Sequence, residues 1–231
     1  MKGSPAETDF IVIGAGIAGL RAAIELADAG RVLVLTKKDL PNFKAKDAKS
    51  EAEWLNDADD VILHLQDTIA AGDGLSNAAA AKILVEEGVE RIDELITWSK
   101  HAGTKLSFEP ENTHTRSRVL HAAGEPTGRE ILRVLLDKAN SLKHITIAGF
   151  TFASSLLMDG GRVTGVSLLD EKGVPHDISC SALLVATGGC CQIYRNTSQP
   201  ETATGDGIAL AFRAGAEVSD MNGTTYLFSL R

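Results

Sequence analysis

The chain has 231 residues, 44% of them apolar and 23% charged, and carries a formal net charge of −8. That length and balance suffice to close a globular core without disulfides, which argues against a disordered tail or a fibrous repeat. The acidic surplus argues against a nucleic-acid partner, because phosphate backbones are bound by clustered Lys and Arg and no basic stripe is visible. The first eight residues are too short and polar for a secretory signal, and no apolar run approaches the roughly 20 residues of a membrane span. No membrane span and a cytoplasmic location are expected.

Residues 9–14 (DFIVIG) read as a buried parallel strand and residues 17–29 as a helix with Ile17, Leu20, Ala23, Ile24 and Ala27 on one face. Residues 31–36 (RVLVLT) read as a second strand, completing a βαβ unit. Between the first strand and the helix, Gly14, Gly16 and Gly19 form GxGxxG. In that context Gly14 permits a tight turn, Gly16 lets backbone approach a pyrophosphate, and Gly19 lets the helix pack on the strand. The unpaired N–H groups at the helix start then face the phosphate charge. Glycines serving packing alone would leave the same pattern, but strands on both sides of it favour nucleotide binding.

Residues 38–59 are polar, interrupted by Pro41 and without strong apolar periodicity; a solvated segment is expected, with helical character from Asp47 to Leu55. A helical excursion over 59–103 follows in two stretches, the second opened by Ser76 or Asn77 and closed by Gly103. A loop carrying FEPENTHTRSRVLHAAGEPTGRE then leads through Thr127 to Glu130 into a helix ending near Asn140, and 144–148 (HITIA) returns as a strand. Over 151–179 the period shortens to strands broken by MDGGR and DEKGVP, the pattern of a three-stranded meander. The apolar strand ALLVATGG follows, then a helix opened by Gly205 or Asp206 and stopped at Gly215. Cys180, Cys190 and Cys191 form no metal-ligand spacing and leave an odd thiol, which fits small buried residues in a reducing compartment. No metal site is expected.

The second strand ends in Thr36 and Lys37, where an acidic residue usually clamps an NAD ribose. Thr36 can still bond a ribose hydroxyl and Lys37 favours a phosphate, so at this point a phosphorylated nicotinamide cofactor stays open. A meander inserted before a last parallel strand ending in ATGG is the layout of flavoproteins with two dinucleotide-binding domains, and it favours FAD. The expected fold is a single α/β domain over 1–231: an FAD-binding Rossmann-like parallel sheet with a three-stranded β-meander and a helical excursion.

The segments DFIVIGAGIAGL, VLVLTK, DDVILHLQDTIAAGDGLSN, LVEEGVERIDELI, HTRSRVLHAAGEPTGREI, GGRVTGVSLLDEKG, LLVATGG and TGDGIALAFRAGAEVSDM span nearly the whole chain. They resemble the fumarate reductase and succinate dehydrogenase flavoprotein superfamily, and within it the L-aspartate oxidases, whose LHAADATGRE signature is similar to LHAAGEPTGRE here. A Thr-Lys ending is ordinary in that group. The resemblance implies noncovalent FAD, with Ala15, Gly16, Ile17 and Ala18 at the pyrophosphate and Lys37 by the adenosine ribose. It places backbone of Phe152 and Ala153 at the adenine, backbone of Thr187, Gly188 and Gly189 close to the cofactor, and Asp206 at the flavin half. It implies a small-molecule dicarboxylate substrate whose amino group Glu111 orients, with His114 and His121 bracing that loop. The implied reaction takes a hydride from L-aspartate to give iminoaspartate, with oxygen or fumarate as acceptor and quinolinate synthase as pathway neighbour.

Two segments depart from the family. PNFKAKDAKSEAEWLNDADD stands where the family has SNTxYAQGGIA, and NGTTYLFSLR stands where it continues with EFxQFHPT. The capping domain with its catalytic Arg is expected to be absent, and none of Arg116, Arg118 and Arg129 matches that role by motif. A truncated or rearranged oxidase, a non-catalytic FAD-binding scaffold and another fumarate reductase or succinate dehydrogenase type flavoprotein are therefore the three readings.

Overall fold

The structure, a computed structural model, describes residues 7–39, 52–53, 61–101, 106–109, 119–122, 127–197, 199–219 and 221. In chain order the elements are β1 (Phe10–Ile13), α1 (Ile17–Leu26), β2 (Val32–Leu35), β3 (Ala52–Glu53), α2 (Val61–Ala71), α3 (Ala78–His101), β4 (Leu106–Glu109) and β5 (Val119–Ala122). They continue with α4 (Thr127–Asn140), β6 (Ile145–Ala148), β7 (Phe152–Asp159), β8 (Arg162–Leu169), β9 (Pro175–Ser179), β10 (Ala182–Val185) and α5 (Asp206–Arg213). Contacts divide the chain into one unit made of Met1–Phe43 and Ala139–Arg231 and a second of Lys44–Lys138.

In the first unit a four-stranded parallel sheet has the order β10-β1-β2-β6. Phe10 lies beside Ala182 on one flank and Val32 on the other, and Val32 lies beside Ile145. The uninterrupted apolar runs FIVI and VLVL suit a sheet covered on both faces, and Ile11, Val12 and all of β2 are buried. Alternation along the strands sorts the two layers. Ile11, Ile13, Leu33 and Leu35 pack with Ala153, Val166, Leu168, Ile178 and Leu210, so the meander and α5 cover one face. On the other, α1 buries Gly19, Leu20, Ala23 and Ile24. Helix α1 is three residues shorter than its pattern predicts. The Ala29 and Gly30 N–H groups both turn back to the Leu26 carbonyl, so Ala27 to Ala29 form a turn into β2.

The meander is antiparallel in the order β7-β8-β9. Gly160 and Gly161, both at positive φ, make its first turn. Asp170 makes the second: Oδ1 accepts the Lys172 and Val174 N–H groups at 3.0 and 2.9 Å, and Oδ2 meets His176 Nε2 at 3.1 Å. The Val174 and His176 hydrogen bonds lead in holding the Asp170 carboxyl down to about 2.

The second unit carries α2, α3, most of α4 and an antiparallel sheet β3-β5-β4. Asn77 is the residue that caps α3: its Oδ1 accepts the Ala80 N–H at 3.1 Å and its carbonyl the Ala81 N–H at 2.9 Å. Two expectations are corrected here. Ala52 and Glu53, read as part of a helical stretch, form β3; the segment read as a loop after Gly103 contains β4 and β5, paired from Leu106 with Ala122 to Glu109 with Val119. Both errors have one cause: strands of two to four residues are too short to display a period, and cross-strand partners decide them. The rest of 38–59 beyond Asp39 lies outside the described residues. Among the described residues no helix is long and apolar enough to cross a membrane, and no group of three or more His, Cys, Asp or Glu side chains could hold a metal ion.

Candidate nucleotide site

A cavity of about 400 Å³ opens at the carboxyl ends of β1, β2 and β10, the place where open α/β sheets bind ligands. Its floor is the β1–α1 turn from Gly14 to Ala18; its walls are Thr36 to Lys38 after β2, Thr151 to Ala153 at the start of β7, Ala186 to Gly188 after β10, and Asp206 and Leu210 of α5.

The three glycines of the turn do different things. Gly14 has φ +112°, and a Cβ there would overlap the Ala186 carbonyl, so no side chain fits where β1 runs beside β10. A Cβ on Gly19 would overlap the Gly14 carbonyl and approach Val12 Cγ1 to 3.3 Å, so Gly19 is what seats α1 on the sheet. Gly16 is the opposite case: a Cβ there meets nothing within 4 Å, and the residue lines the cavity. Gly16 is also the N-cap of α1, with φ −76° and no side-chain cap. The first N–H groups of that helix, which have no acceptor within it, therefore open toward the space beside Gly16.

One polar cluster closes the far side. Lys37 Nζ donates to Asp206 Oδ2 at 2.6 Å and to Thr204 Oγ1 at 2.5 Å, and the Thr204 hydroxyl donates to Asp206 at 2.9 Å. Burial pushes the Asp206 carboxyl up, but the hydrogen bonds from Lys37 and Thr204 and the nearby Lys37 charge outweigh it and leave it below its ordinary value. The backbone ties the walls together: the Thr151 N–H donates to the Thr36 carbonyl at 2.9 Å, and the Thr36 N–H to the Ala148 carbonyl at 2.9 Å. Thr36 is buried at the root of this wall.

Of the residues singled out from the sequence, Gly14, Ala15, Gly16, Ile17, Ala18, Thr36, Lys37, Phe152, Ala153, Thr187, Gly188 and Asp206 line this one cavity. Gly19 and Gly189 do not; the first packs α1 and the second offers its carbonyl to the Gly205 N–H at 3.2 Å. Lys37 and Asp206, expected at opposite halves of a cofactor, meet in one ion pair. Lys38, Thr151, Thr202 and Leu210 also line the cavity and were not anticipated. Adjacency to Lys37 could have flagged Lys38, and Thr204 belongs to the TGDG motif itself. Glu111, His114, Arg116 and Arg118 lie outside the described residues, while His121 falls in β5 and Arg129 in α4 of the second unit.

A family profile described as "FAD binding domain" matches residues 9–228. L-aspartate oxidase of Streptomyces coelicolor is 37% identical over 223 residues, covering 92% of this chain and 38% of the relative. L-aspartate oxidase 2-b of Nicotiana tabacum, a chloroplastic protein, is 39% identical over 224 residues, covering 92% and 34%. The chain thus spans well under half the length of these relatives. Among solved structures, Mycobacterium smegmatis Sdh1 in complex with UQ1 superposes with a TM-score of 0.81 at 30% identity, over 90% of this chain and 38% of that one. The open form of a flavocytochrome c3 fumarate reductase superposes with a TM-score of 0.81 over 93% and 42%; at 21% identity it speaks to the fold alone.

Proposed function

We propose, from the premise that this chain belongs to the FAD binding domain family, that it is the nucleotide-holding portion of a flavoprotein oxidising L-aspartate to iminoaspartate. The observation that carries the reading is the Gly16 cradle. Backbone is bared at the start of α1, its uncapped N–H groups face a 400 Å³ cavity, and a single added Cβ would enter the space that a diphosphate needs. These residues fit FAD. Ala15 to Ala18 would take the diphosphate, Thr36 and Lys37 a ribose, Phe152 and Ala153 the adenine, and Thr187 and Gly188 close backbone contacts.

When bound, FAD supplies a hydride acceptor that no amino-acid side chain can replace. This chain's residues bind and orient it and exclude water from its adenosine half, where the apolar walls of Ile13, Leu35 and Leu210 stand. Glu111 is assigned to orienting the substrate amino group. The substrate class is a small dicarboxylate, with oxygen or fumarate as final acceptor. The setting is the cytoplasm, with quinolinate synthase consuming the product. The names of the relatives support this substrate assignment.

Titration of the purified chain with FAD, followed by flavin fluorescence and by absorbance released on denaturation, tests the first half; a colourless protein without response removes it. L-aspartate added to the loaded chain should then bleach the flavin and release peroxide. Bleaching by succinate but not by L-aspartate would replace the oxidase with a succinate dehydrogenase type activity. Stable, unbleached flavin with both would leave a binding scaffold.

A further inference from the structure

We propose that Cys190 and Cys191 form a redox-sensitive dithiol that closes to a vicinal disulfide under peroxide, and that closure loosens the cavity wall carrying Thr202 and Asp206. The site stands on its own geometry; only its effect on FAD affinity rests on the reading that FAD fills the cavity.

The two thiols are neighbours in sequence, and both are free and half-buried. They occupy the turn after β10: Cys190 has φ −125° and ψ 26°, outside strand and helix, and Cys191 opens a single 3-10 turn, Cys191–Ile193. No strand includes this peptide, so it can rotate without breaking sheet pairing. Cys180 is unlike them. It sits at the other end of β10, packed against the core, and burial pushes its thiol above the ordinary value, which suppresses the reactive thiolate.

Closure balances with peroxide alone. One thiol takes an oxygen from hydrogen peroxide to give a sulfenic acid and water, and the second thiol displaces that oxygen as water; two thiols and one peroxide become one disulfide and two waters. Peroxide is also what a flavin oxidase releases when oxygen is its acceptor. Adjacent Cα atoms stand about 3.8 Å apart, short of the roughly 4.4 Å at which ordinary disulfides begin, so the bond is strained, easily reduced and suited to a reversible role.

Backbone and side-chain contacts tie the dithiol to the cavity. Gly205, the N-cap of α5, lies directly on Cys190: a Cβ there would stand 2.8 Å from the Cys190 Cβ. The Gly205 N–H donates to the Gly189 carbonyl at 3.2 Å and the Gln192 N–H to the Ala203 carbonyl at 2.9 Å. Gln192 Nε2 donates to the Gln199 and Pro200 carbonyls at 2.9 and 3.2 Å. The run 199–206, which brings Thr202 and Asp206 to the cavity and Thr204 to Lys37, thus hangs on residues 189–192. Drawing the Cys190 sulfur onto Cys191 turns the peptide on which Gly205 rests and takes Gln192 with it.

The test exposes the reduced full chain to hydrogen peroxide, counts thiols after denaturation and weighs the intact chain by mass spectrometry. Two of the three thiols should disappear with the loss of two hydrogens, and dithiothreitol should restore all three. Cys180→Ser should still close, whereas Cys191→Ser should gain oxygen instead. Closure lost in Cys180→Ser or surviving in Cys191→Ser overturns the assignment, as does an unaltered chain that only gains oxygen. FAD should bind the oxidised chain about fivefold or more weakly, recover on reduction, and bind Cys191→Ser as it binds the reduced chain. Equal FAD affinity of the reduced and closed chains overturns the link to the wall. A chain that closes its disulfide yet binds FAD in neither state sinks the cofactor reading and upholds the dithiol.

Discussion

Gly14, Gly16 and Gly19 share one motif, yet alanine should act on them in opposite ways. At Gly14 the new Cβ would overlap the Ala186 carbonyl, stand 2.7 Å from the Ala186 carbon and 3.1 Å from the Thr187 nitrogen, and occupy φ +112°. Backbone on both sides leaves no flexible side chain to yield. Left-handed strain of about 1–3 kcal/mol and overpacking of about 1–3 kcal/mol put Gly14→Ala near 4 kcal/mol destabilised. At roughly 2–4 °C per kcal/mol for a chain of this size, its melting temperature should fall by roughly 8–16 °C. Gly16→Ala should do almost nothing to folding. Its φ of −76° is open to alanine, its Cβ meets nothing, and a weaker N-cap is offset by lower chain entropy in the unfolded state, each about 0.5–1 kcal/mol. The same methyl would enter the space proposed for the diphosphate, so FAD affinity should drop by about tenfold or more, or at least 1.4 kcal/mol. Paired thermal melts and FAD titrations of the two variants decide it. Unchanged FAD affinity in Gly16→Ala, or an unchanged melting temperature in Gly14→Ala, refutes the reasoning.

Two further outcomes follow from the carboxylates. The folded Asp206 carboxyl titrates below its ordinary value of 3.8, so its ion pair with Lys37 stabilises the protein above that value and fades as pH falls through the depressed one. Asp206→Asn should therefore flatten the acid limb of the melting profile below pH ~4, cost within about 1 kcal/mol at neutral pH because the pair is partly solvated, and lower FAD affinity measured by titration. Asp170, held at about 2 first by the Val174 N–H and then by His176, should show a carboxyl titration midpoint near 2 by NMR. A midpoint at 3.8 would mean that the β8–β9 turn is not formed as described.

The sheet and the cavity were legible because their signals are local and strong. FIVI and VLVL are apolar throughout, the glycines stand between a strand and a helix, and the meander turns carry Gly160, Gly161 and Gly173 at positive φ. Contacts joining distant segments were not legible. Nothing in VLTK announces that Lys37 reaches across to a carboxylate 169 residues later in the chain. Short strands such as β4 and β5 are likewise fixed by partners rather than by period.

The sheet order has a consequence for biogenesis. β1 is flanked by β2 and by β10, and the cavity is lined from Ile13 to Leu210, with the whole Lys44–Lys138 unit lying between in sequence. On a ribosome the glycine turn must wait for nearly two hundred more residues, about 10–40 s at ordinary elongation rates, before its opposite wall exists. Until then a nucleotide on the glycine turn would be held from one side only. Nascent chains stalled before α5 should leave the tunnel flavin-free, with one flank of β1 still seeking its neighbour.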